Sequence, residues 1–405
     1  MSVVSLAARG APLPHGRGPE RITIGDTALI DVVEPGAPTA IVFSAVNARS
    51  FSYYKMFMAR PLNRVFLRDP DNLWYQRGVS AELSGVEPLA AYLAEVLRVL
   101  KPSTTIAFGS SMGGYASLLF GQKLDVDAVV SICPQTLLDP RLPHTPAAAP
   151  NGPYDDLSGL PAPAPRRKTY VFFGSADMVD IYNVYRMPQD GLTLLPIAGQ
   201  DHMVMHHLMK NGEFERCVDA ILAGRDYACS TPLDRRCDDP LLRGLVGRLV
   251  EGVYREDPAY DPERYARATL ALQPDWPAAN YMLARVWADQ GKLEEAAKQA
   301  AKATKRAPGS IAFADFQAHL FLRREMYDEA LAAYERCLEV RPKHYAALCA
   351  LASLHARAGR TEIALRLLDD AVEIRPRQTR AQKLRDKIKS GRFEAGRTDV
   401  ALDDE

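Results

Sequence analysis

The sequence has little net charge, no long apolar run and no recognisable export signal. Its 405 residues contain 50 Lys and Arg against 50 Asp and Glu, so the formal net charge is zero. This balance argues against a strongly basic nucleic-acid-binding protein, and we expect no nucleic-acid partner. No apolar stretch approaches the roughly 18 residues that a membrane span requires. The N-terminus is rich in Gly, Pro and Ala and lacks the apolar core of a signal peptide. The sequence therefore predicts a cytoplasmic protein without a membrane span.

The sequence also lacks the ligand spacings of a metal site. Its six cysteines form no C-x-x-C pair and match no zinc signature, which is typical of reduced, packed thiols. His202, His206 and His207 lie close together, but no H-E-x-x-H pattern accompanies them. We therefore expect no metal and no cofactor. The cysteines are Cys133, Cys217, Cys229, Cys237, Cys337 and Cys349.

One stretch combines a strand pattern, a glycine-rich turn and a helix pattern. The apolar run Thr104–Phe108 predicts a buried strand, and Tyr115–Gln122 predicts a helix. Between them stands Gly109-Ser110-Ser111-Met112-Gly113, a G-x-S-x-G pattern typical of a nucleophile elbow. Such a turn exposes the Ser111 hydroxyl beside backbone N–H groups at a helix N-terminus. The alternative is a glycine-rich turn whose serines only cap the helix.

Further apolar runs surround this turn and predict an α/β fold. Gly25-Asp26 separates two β-type runs and indicates a hairpin. Residues 82–100 carry leucines at helical spacing and predict a helix before the turn. Strands alternating with helices imply a mostly parallel sheet covered on both faces. Residues 139–167 are dense in Pro and Ala, so any lid is a short irregular loop. The predicted strands are 21–24, 28–33, 39–44, 63–67, 104–108, 126–132, 168–173 and 192–196.

Two later strands are followed by residues that could complete a catalytic triad with Ser111. Asp177 follows the 168–173 strand in Gly-Ser-Ala-Asp, with Asp180 as the second choice for the acid. His202 follows the last strand in Gly-Gln-Asp-His. The neighbouring Asp201 is a poor acid for it, because adjacent side chains rarely face each other. Asp177 capping a following helix is the structural alternative. The chain order serine, acid, histidine favours a catalytic set.

Residues 20–225 resemble the α/β-hydrolase superfamily, through the motifs around Ser111, Asp177 and His202. The resemblance implies that Ser111 attacks an acyl carbonyl, His202 acts as general base and then acid, and Asp177 holds the imidazole tautomer. It also implies that the Met112 N–H stabilises an oxyanion. The common His-Gly form of the second oxyanion loop is absent, so the other donors are assigned by position only, to Ala45, Val46 or Asn47.

The C-terminal part contains an internal repeat. Pro274, Pro308, Pro342 and Pro376 recur every 34 residues, with small and large residues repeating between them. This period is identified as the tetratricopeptide (TPR) repeat, which has two helices per unit. Glu325 stands where the second unit would have its turn glycine. Such repeats form a concave surface suited to a protein or peptide partner.

These patterns predict an α/β domain followed by an all-α solenoid. The predicted regions are a flexible arm at 1–19, the hydrolase-like domain at 20–225, a polar linker at 226–242, repeats with a capping helix at 243–390, and a tail at 391–405. The first hypothesis is an esterase-like serine hydrolase acting on an acyl ester, with the repeats gripping a protein partner or the substrate. The second is a non-catalytic scaffold with a degenerate hydrolase fold. A third uses the same triad for acyl transfer, by analogy in polysaccharide modification.

Overall fold

The computed structural model describes residues 11–146, 152–376 and 378–393. The chain divides into two compact units, Met1–Arg243 and Gly244–Glu405. Most of the predicted tail lies outside the described residues, as do residues 1–10 of the predicted arm. No helix of the described residues is long and apolar enough to cross a membrane.

The first unit is built on one mixed sheet of eight strands in the order β1-β2-β4-β3-β5-β6-β7-β8. β1 pairs antiparallel with β2, and β2 with β4, whereas the remaining neighbours are parallel. The β1–β2 pairing confirms the hairpin at Gly25-Asp26. The strands are β1 Glu20–Ile24, β2 Ala28–Val32, β3 Thr39–Phe43, β4 Asn63–Leu67, β5 Thr105–Ser110, β6 Ala128–Ile132, β7 Lys168–Gly174 and β8 Leu192–Ile197.

Helices cover both faces of this sheet because the central strands are apolar on both sides. Successive residues of a strand point to opposite faces, and β3, β5 and β6 are buried throughout. On one face Phe43 stacks on Phe120 with ring centroids 5.3 Å apart. On the other, Phe108 contacts Phe57 and Phe214 edge-on. The helices of this unit are α1 Tyr54–Met58, α2 Val86–Leu100, α3 Met112–Lys123, α4 Met178–Arg186, α5 Val204–Lys210 and α6 Glu213–Leu222.

Two segments assigned as flexible or linking are instead held against this unit. In the predicted arm, Leu13 packs on the core and the Pro12 carbonyl accepts a hydrogen bond from Tyr92 Oη at 2.6 Å. In the predicted linker 226–242, Leu233 forms a β-bridge with Ile197 at the end of β8. Both segments bury apolar side chains, which stabilises them against the sheet. The described parts of 139–167 contain no α-helix, and a single 3₁₀ turn forms at Leu157–Gly159.

The second unit consists of helices joined by short loops, with two helices in each predicted repeat. α7 contains the boundary between the units, and α7 with α8 occupies the predicted degenerate first repeat. Successive first helices begin at Pro277, Ile311, Tyr345 and Thr379, which reproduces the 34-residue period. The helices are α7 Pro240–Tyr254, α8 Pro262–Leu272, α9 Pro277–Asp289, α10 Leu293–Arg306, α11 Ile311–Arg323, α12 Tyr327–Val340, α13 Tyr345–Arg357, α14 Thr361–Ile374 and α15 Thr379–Lys389.

Buried alanines allow the repeat helices to pack closely. Ala296, Ala330 and Ala364 occupy equivalent positions near the starts of α10, α12 and α14, and all three are fully buried. Larger side chains such as Tyr334 fill the space between the helices. Small and large residues therefore alternate for the steric reason predicted from the repeat.

Glu325 adopts the backbone conformation of the glycine that it replaces. Its φ is 59°, whereas Gly291 and Gly359 at the equivalent turns have φ of 77° and 73°. A left-handed conformation costs a side-chain-bearing residue about 1–2 kcal/mol. The second repeat therefore carries strain that the other two avoid.

We predict that Glu325→Gly stabilises the helical unit. Removal of the left-handed strain outweighs the extra backbone entropy of an unfolded glycine, roughly 0.5–1 kcal/mol, so the net gain is up to about 1 kcal/mol. Urea unfolding of the full chain, followed by circular dichroism at a helical wavelength, measures the change. Glu325→Ala is the control, because it removes the carboxylate but keeps the strained Cβ. An equal gain in both variants would contradict the backbone explanation.

Candidate active site

Ser111 lies at a sharp turn between β5 and α3. Its φ of 53° and ψ of −120° fall in a region that residues with side chains rarely adopt. The turn is held because the Ser111 N–H donates to the Ile132 carbonyl at 2.8 Å and its own carbonyl accepts from Tyr115 N–H at 3.0 Å. Backbone strain of this kind, of order 1–3 kcal/mol, persists where the surrounding structure enforces it and clusters at functional sites.

The glycines around Ser111 are required by close backbone approach. A Cβ on Gly109 would lie 2.2 Å from the Gly113 carbonyl oxygen, and one on Gly113 would lie 2.3 Å from that of Phe43. On Gly114 it would lie 2.6 Å from the Ile132 carbonyl oxygen. These distances are far below van der Waals contact. The G-x-S-x-G pattern therefore has the steric role that the sequence predicts for it. α3 begins at Met112, earlier than the predicted Tyr115, so two of these glycines lie inside the helix.

The structure brings Ser111 and His202 together. His202 follows β8 on a loop that packs against the end of β7, where a Cβ on Gly174 would lie 2.2 Å from the Gln200 carbonyl oxygen. Its Nε2 lies 3.2 Å from Ser111 Oγ. Its side chain is only 10% exposed. His206 and His207 belong to the following helix α5, as predicted.

Asp180, rather than the first-choice Asp177, contacts the histidine. His202 Nδ1 lies 2.8 Å from Asp180 Oδ1. Asp177 is the N-cap of α4, and its Oδ1 accepts hydrogen bonds from the N–H groups of Val179 and Asp180 at 2.9 and 3.0 Å. Asp177 thus takes the capping role that was the structural alternative. The helix begins directly after Asp177, which places Asp180 in the first turn and turns its carboxylate toward His202.

Burial and neighbouring carboxylates set the protonation of these groups. Burial lowers the pKa of His202, but the charges of Asp180 and Asp177 outweigh it and raise this pKa to about 8. Burial also raises the pKa of Asp180, because its carboxylate is removed from water. Burial opposes ionisation of Asp177 as well, yet contacts from His144 and His202 bring its pKa down to about 2. Asp180 and Asp177 thus both favour the protonated form of His202.

Gln135 is a site residue that the sequence analysis missed. It follows β6 and is almost fully buried. Its amide orientation is fixed because Trp74 Nε1–H donates to Oε1 at 3.3 Å and Nε2 donates to the Cys133 carbonyl at 2.8 Å. Oε1 accepts from Ser111 Oγ at 3.3 Å, and Nε2 lies 3.5 Å from His202 Nε2. The serine hydroxyl therefore has two possible acceptors.

His144 is a second site residue that no sequence motif indicated. Its ring stacks on His202 with centroids 3.9 Å apart and planes within 5°. It belongs to the proline-rich stretch 139–167, which the sequence analysis described only as a short irregular covering loop. Neither Gln135 nor His144 lies in a recognisable pattern, so only the fold could place them here.

The four candidate oxyanion donors, Met112, Ala45, Val46 and Asn47, have different surroundings. Met112 is the first residue of α3, so its N–H is one of those without a partner inside the helix. The Ala45 N–H donates to Ser52 Oγ at 3.3 Å. Val46 is 37% exposed at the surface, and the neighbouring Asn47 N–H donates to Asn72 Oδ1 at 2.7 Å. Among these candidates, Met112 is the one that directly follows Ser111 at the N-terminus of α3.

Two groups of potential metal ligands share His202. They are His144, Asp177 and His202, and Cys133, Asp180 and His202. The two nitrogens of His202 already face Asp180 and Ser111. The ring planes of His144 and His202 are parallel to within 5°, so their in-plane nitrogen lone pairs lie in separate planes. Both arrangements therefore fit a hydrogen-bonded set better than a metal site. The six cysteines form no disulfide, and all except the partly exposed Cys229 are buried.

Comparison with known proteins identifies the second unit. Models of the tetratricopeptide repeat match residues 263–311 and 321–388. No curated protein matches the chain. Many solved structures resemble part of it. A tetratricopeptide repeat protein from Parabacteroides merdae is 21% identical, with a TM-score of 0.34, over 37% of this chain and 60% of that one.

Two more of these structures are MamA and the first TPR of Spaghetti (RPAP3). MamA is 17% identical, with a TM-score of 0.29, over 33% of this chain and 84% of its own. The first TPR of Spaghetti (RPAP3), solved with the HSP90 peptide SRMEEVD, is 16% identical, with a TM-score of 0.28, over 28% of this chain and 91% of its own. The matches of the family models fall on the helices that follow the 34-residue period. The C-terminal region of this chain therefore contains TPR repeats.

Proposed function

We propose that this chain joins a protein-binding TPR unit to a serine-hydrolase site that acts on acyl esters. The two parts have different support. Family models match the repeats, and TPR repeats are protein-interaction modules. The catalytic part is supported by the geometry of the first unit, which lies outside the matched residues.

The observation that carries the catalytic proposal is one continuous contact chain. Asp180 Oδ1 lies 2.8 Å from His202 Nδ1, and His202 Nε2 lies 3.2 Å from Ser111 Oγ. These are hydrogen-bond distances between an acid, a base and a nucleophile. The resemblance to α/β-hydrolases stated from the sequence is supported by the strained serine turn after a parallel strand and by the chain order serine, acid, histidine.

The proposed reaction follows from this chain. Ser111 Oγ bonds to the acyl carbon as its proton passes to His202 Nε2. The Asp180 carboxylate accepts a hydrogen bond from Nδ1–H of His202 and stabilises the imidazolium. The carbon–oxygen bond to the leaving alcohol then breaks, and His202 returns the proton to that oxygen. Water, activated by His202, releases the acid and restores Ser111.

The charge on the tetrahedral intermediate can lie on one side of Ser111 only. Gln135 Oε1 faces Ser111 Oγ, and its orientation is fixed by Trp74 and the Cys133 carbonyl. A fixed acceptor oxygen repels an oxyanion. The oxyanion is therefore proposed to face the N–H of Met112, at the N-terminus of α3.

The second candidate function is a scaffold whose first unit does not catalyse. The family models favour it, because they match the protein-binding repeats alone. Acyl transfer to an alcohol or sugar is a variant of the first candidate, since it shares the acyl-enzyme and differs only in the acceptor. A chemically activated Ser111 is expected for the hydrolase and for the acyltransferase, but not for the scaffold.

Labelling by a fluorophosphonate probe tests this activation. Ser111 Oγ forms a bond to phosphorus, fluoride leaves, and His202 takes the proton. We expect one adduct per chain, found by intact mass and mapped to Ser111. A folded wild-type chain that forms no adduct at any pH would favour the scaffold.

We predict that the labelling rate rises with pH to a plateau, with a midpoint near pH 8. His202 with a pKa of about 8 is an imidazolium below this pH and cannot accept the serine proton. Above it the neutral ring is the base, so the active fraction grows as pH rises. Rate constants measured from pH 6 to 10 test this, with buffer concentration varied as a control. A rate that falls over this range would contradict His202 as the base.

A further inference from the structure

The ring of His202 is contacted on both edges and on one face. Asp180 and Ser111 contact its two nitrogens, and His144 covers its face with a centroid distance of 3.9 Å. The His144 side chain is 27% exposed against 10% for His202. His144 is therefore the more exposed of the two stacked rings. This face-on contact has no part in the proton transfers described above.

Asp177 connects His144 to the element that carries the triad acid. Its Oδ2 lies 3.6 Å from His144 Nε2, an ion-pair distance. Its Oδ1 accepts the N–H of Asp180 itself, at 3.0 Å. One carboxylate thus holds both the stacked ring and the first turn of α4. The two contacts use different oxygens and can operate together.

Three residues around His202 have positive backbone φ angles. Ser111, Cys133 and His144 have φ of 53°, 45° and 65°, and each lies close to His202. Cysteine rarely adopts such an angle, whereas histidine adopts it more often than most residues with a side chain. In this conformation His144 both stacks on His202 and contacts Asp177. Strained residues of the Cys133 kind cluster at functional sites.

We propose that Asp177 and His144 form a positioning pair for the catalytic histidine. His144 fixes the plane of the His202 ring, and Asp177 supplies a second negative charge beside it while holding His144 in place. This inference rests on the proposed serine-hydrolase function. Neither residue exchanges a proton with the substrate.

The charges around His202 give this pair a measurable signature. The titratable groups near it are Asp180 and Asp177 at the start of α4, Asp201 on its own loop, His144 on its face, and Cys133. Burial raises the pKa of the Cys133 thiol well above its usual range, so Cys133 stays neutral. Loss of the Asp177 charge leaves the imidazolium with less stabilisation. Its pKa then falls, and the neutral base forms at lower pH.

The test is the pH profile of fluorophosphonate labelling on full-length variants. Asp177→Asn keeps a helix-capping side chain but removes the charge. We expect its midpoint to move to lower pH and its plateau rate to fall by about 10- to 100-fold, since a misplaced base loses near-attack geometry. His144→Ala should lower the plateau similarly. His144→Phe keeps a flat ring on His202 and should recover most of the wild-type plateau.

Control variants distinguish failure of the positioning pair from failure of the proposed serine-hydrolase function. His207→Phe, a histidine on α5 that contacts Asn211, should leave the profile unchanged. Asp177→Ser, which also caps a helix without charge, replaces Asp177→Asn if that variant does not fold. Wild-type midpoints and plateaus in Asp177→Asn and His144→Ala would overturn the positioning pair while leaving the triad intact. A wild-type chain that is never labelled would overturn the hydrolase function and this inference with it.

Discussion

Ser111→Ala should eliminate covalent labelling by the fluorophosphonate probe, with no adduct detectable by intact mass. The variant lacks the oxygen that lies within hydrogen-bond distance of both His202 Nε2 and Gln135 Oε1. The fold should persist, because alanine removes one partly buried hydroxyl and leaves the backbone of the turn unchanged. Thermal unfolding of both proteins checks this.

Ser110→Ala is the matched control for this result. Ser110 is the preceding residue, and its Oγ faces Met205 Sδ at 3.7 Å instead of the triad. We expect this variant to label at close to the wild-type rate. An adduct that persists on Ser111→Ala, or that vanishes in Ser110→Ala, would assign the nucleophile to a different residue.

Asp180→Asn should reduce the plateau labelling rate by about 10,000-fold, the scale known for an acid-to-amide change in a triad. The amide cannot balance the imidazolium charge, and it can donate a hydrogen bond to Nδ1. That bond places the ring proton on Nε2, where it faces Ser111 and prevents proton acceptance. Second-order rate constants for labelling, taken above pH 8, measure the loss.

Asp177→Asn provides the comparison that decides between the two acids. It should lose far less activity than Asp180→Asn, because Asp177 contacts His144 and backbone N–H groups instead of His202 Nδ1. Circular dichroism confirms that each variant is folded before rates are compared. If Asp177→Asn were the more damaging change, the original choice of Asp177 as the triad acid would be restored.

The choice between Asp177 and Asp180 shows where sequence reasoning reached its limit. Both follow β7 within a few residues, and position after the strand favours the earlier one. A signal for the alternative was present, because an Asp directly before a helix is a preferred N-cap and its carboxylate is then used by the backbone. That signal requires the start of α4, and helix boundaries are poorly defined by sequence patterns alone.

Local patterns determined the parts of this protein that depend on neighbouring residues. The 34-residue spacing of prolines and alanines specified the helix pairs of the second unit, since steric fit between adjacent helices repeats with the sequence. Glycines around Ser111 specified a tight turn, since no larger residue fits against Phe43 and Ile132. The Gly25-Asp26 turn specified its hairpin in the same way.

Only the tertiary structure decided which side chains surround His202. Gln135 follows β6, His144 lies in an irregular loop, and Asp180 lies on α4, so their meeting depends on the order of strands in the sheet. Contacts between residues distant in the chain follow no sequence period. The pKa of His202 likewise depends on its burial and on the carboxylates of Asp180 and Asp177. The sequence alone determined a serine turn and a repeat array. The packing of the sheet decided which aspartate contacts His202, which amide contacts Ser111 and which ring stacks on His202.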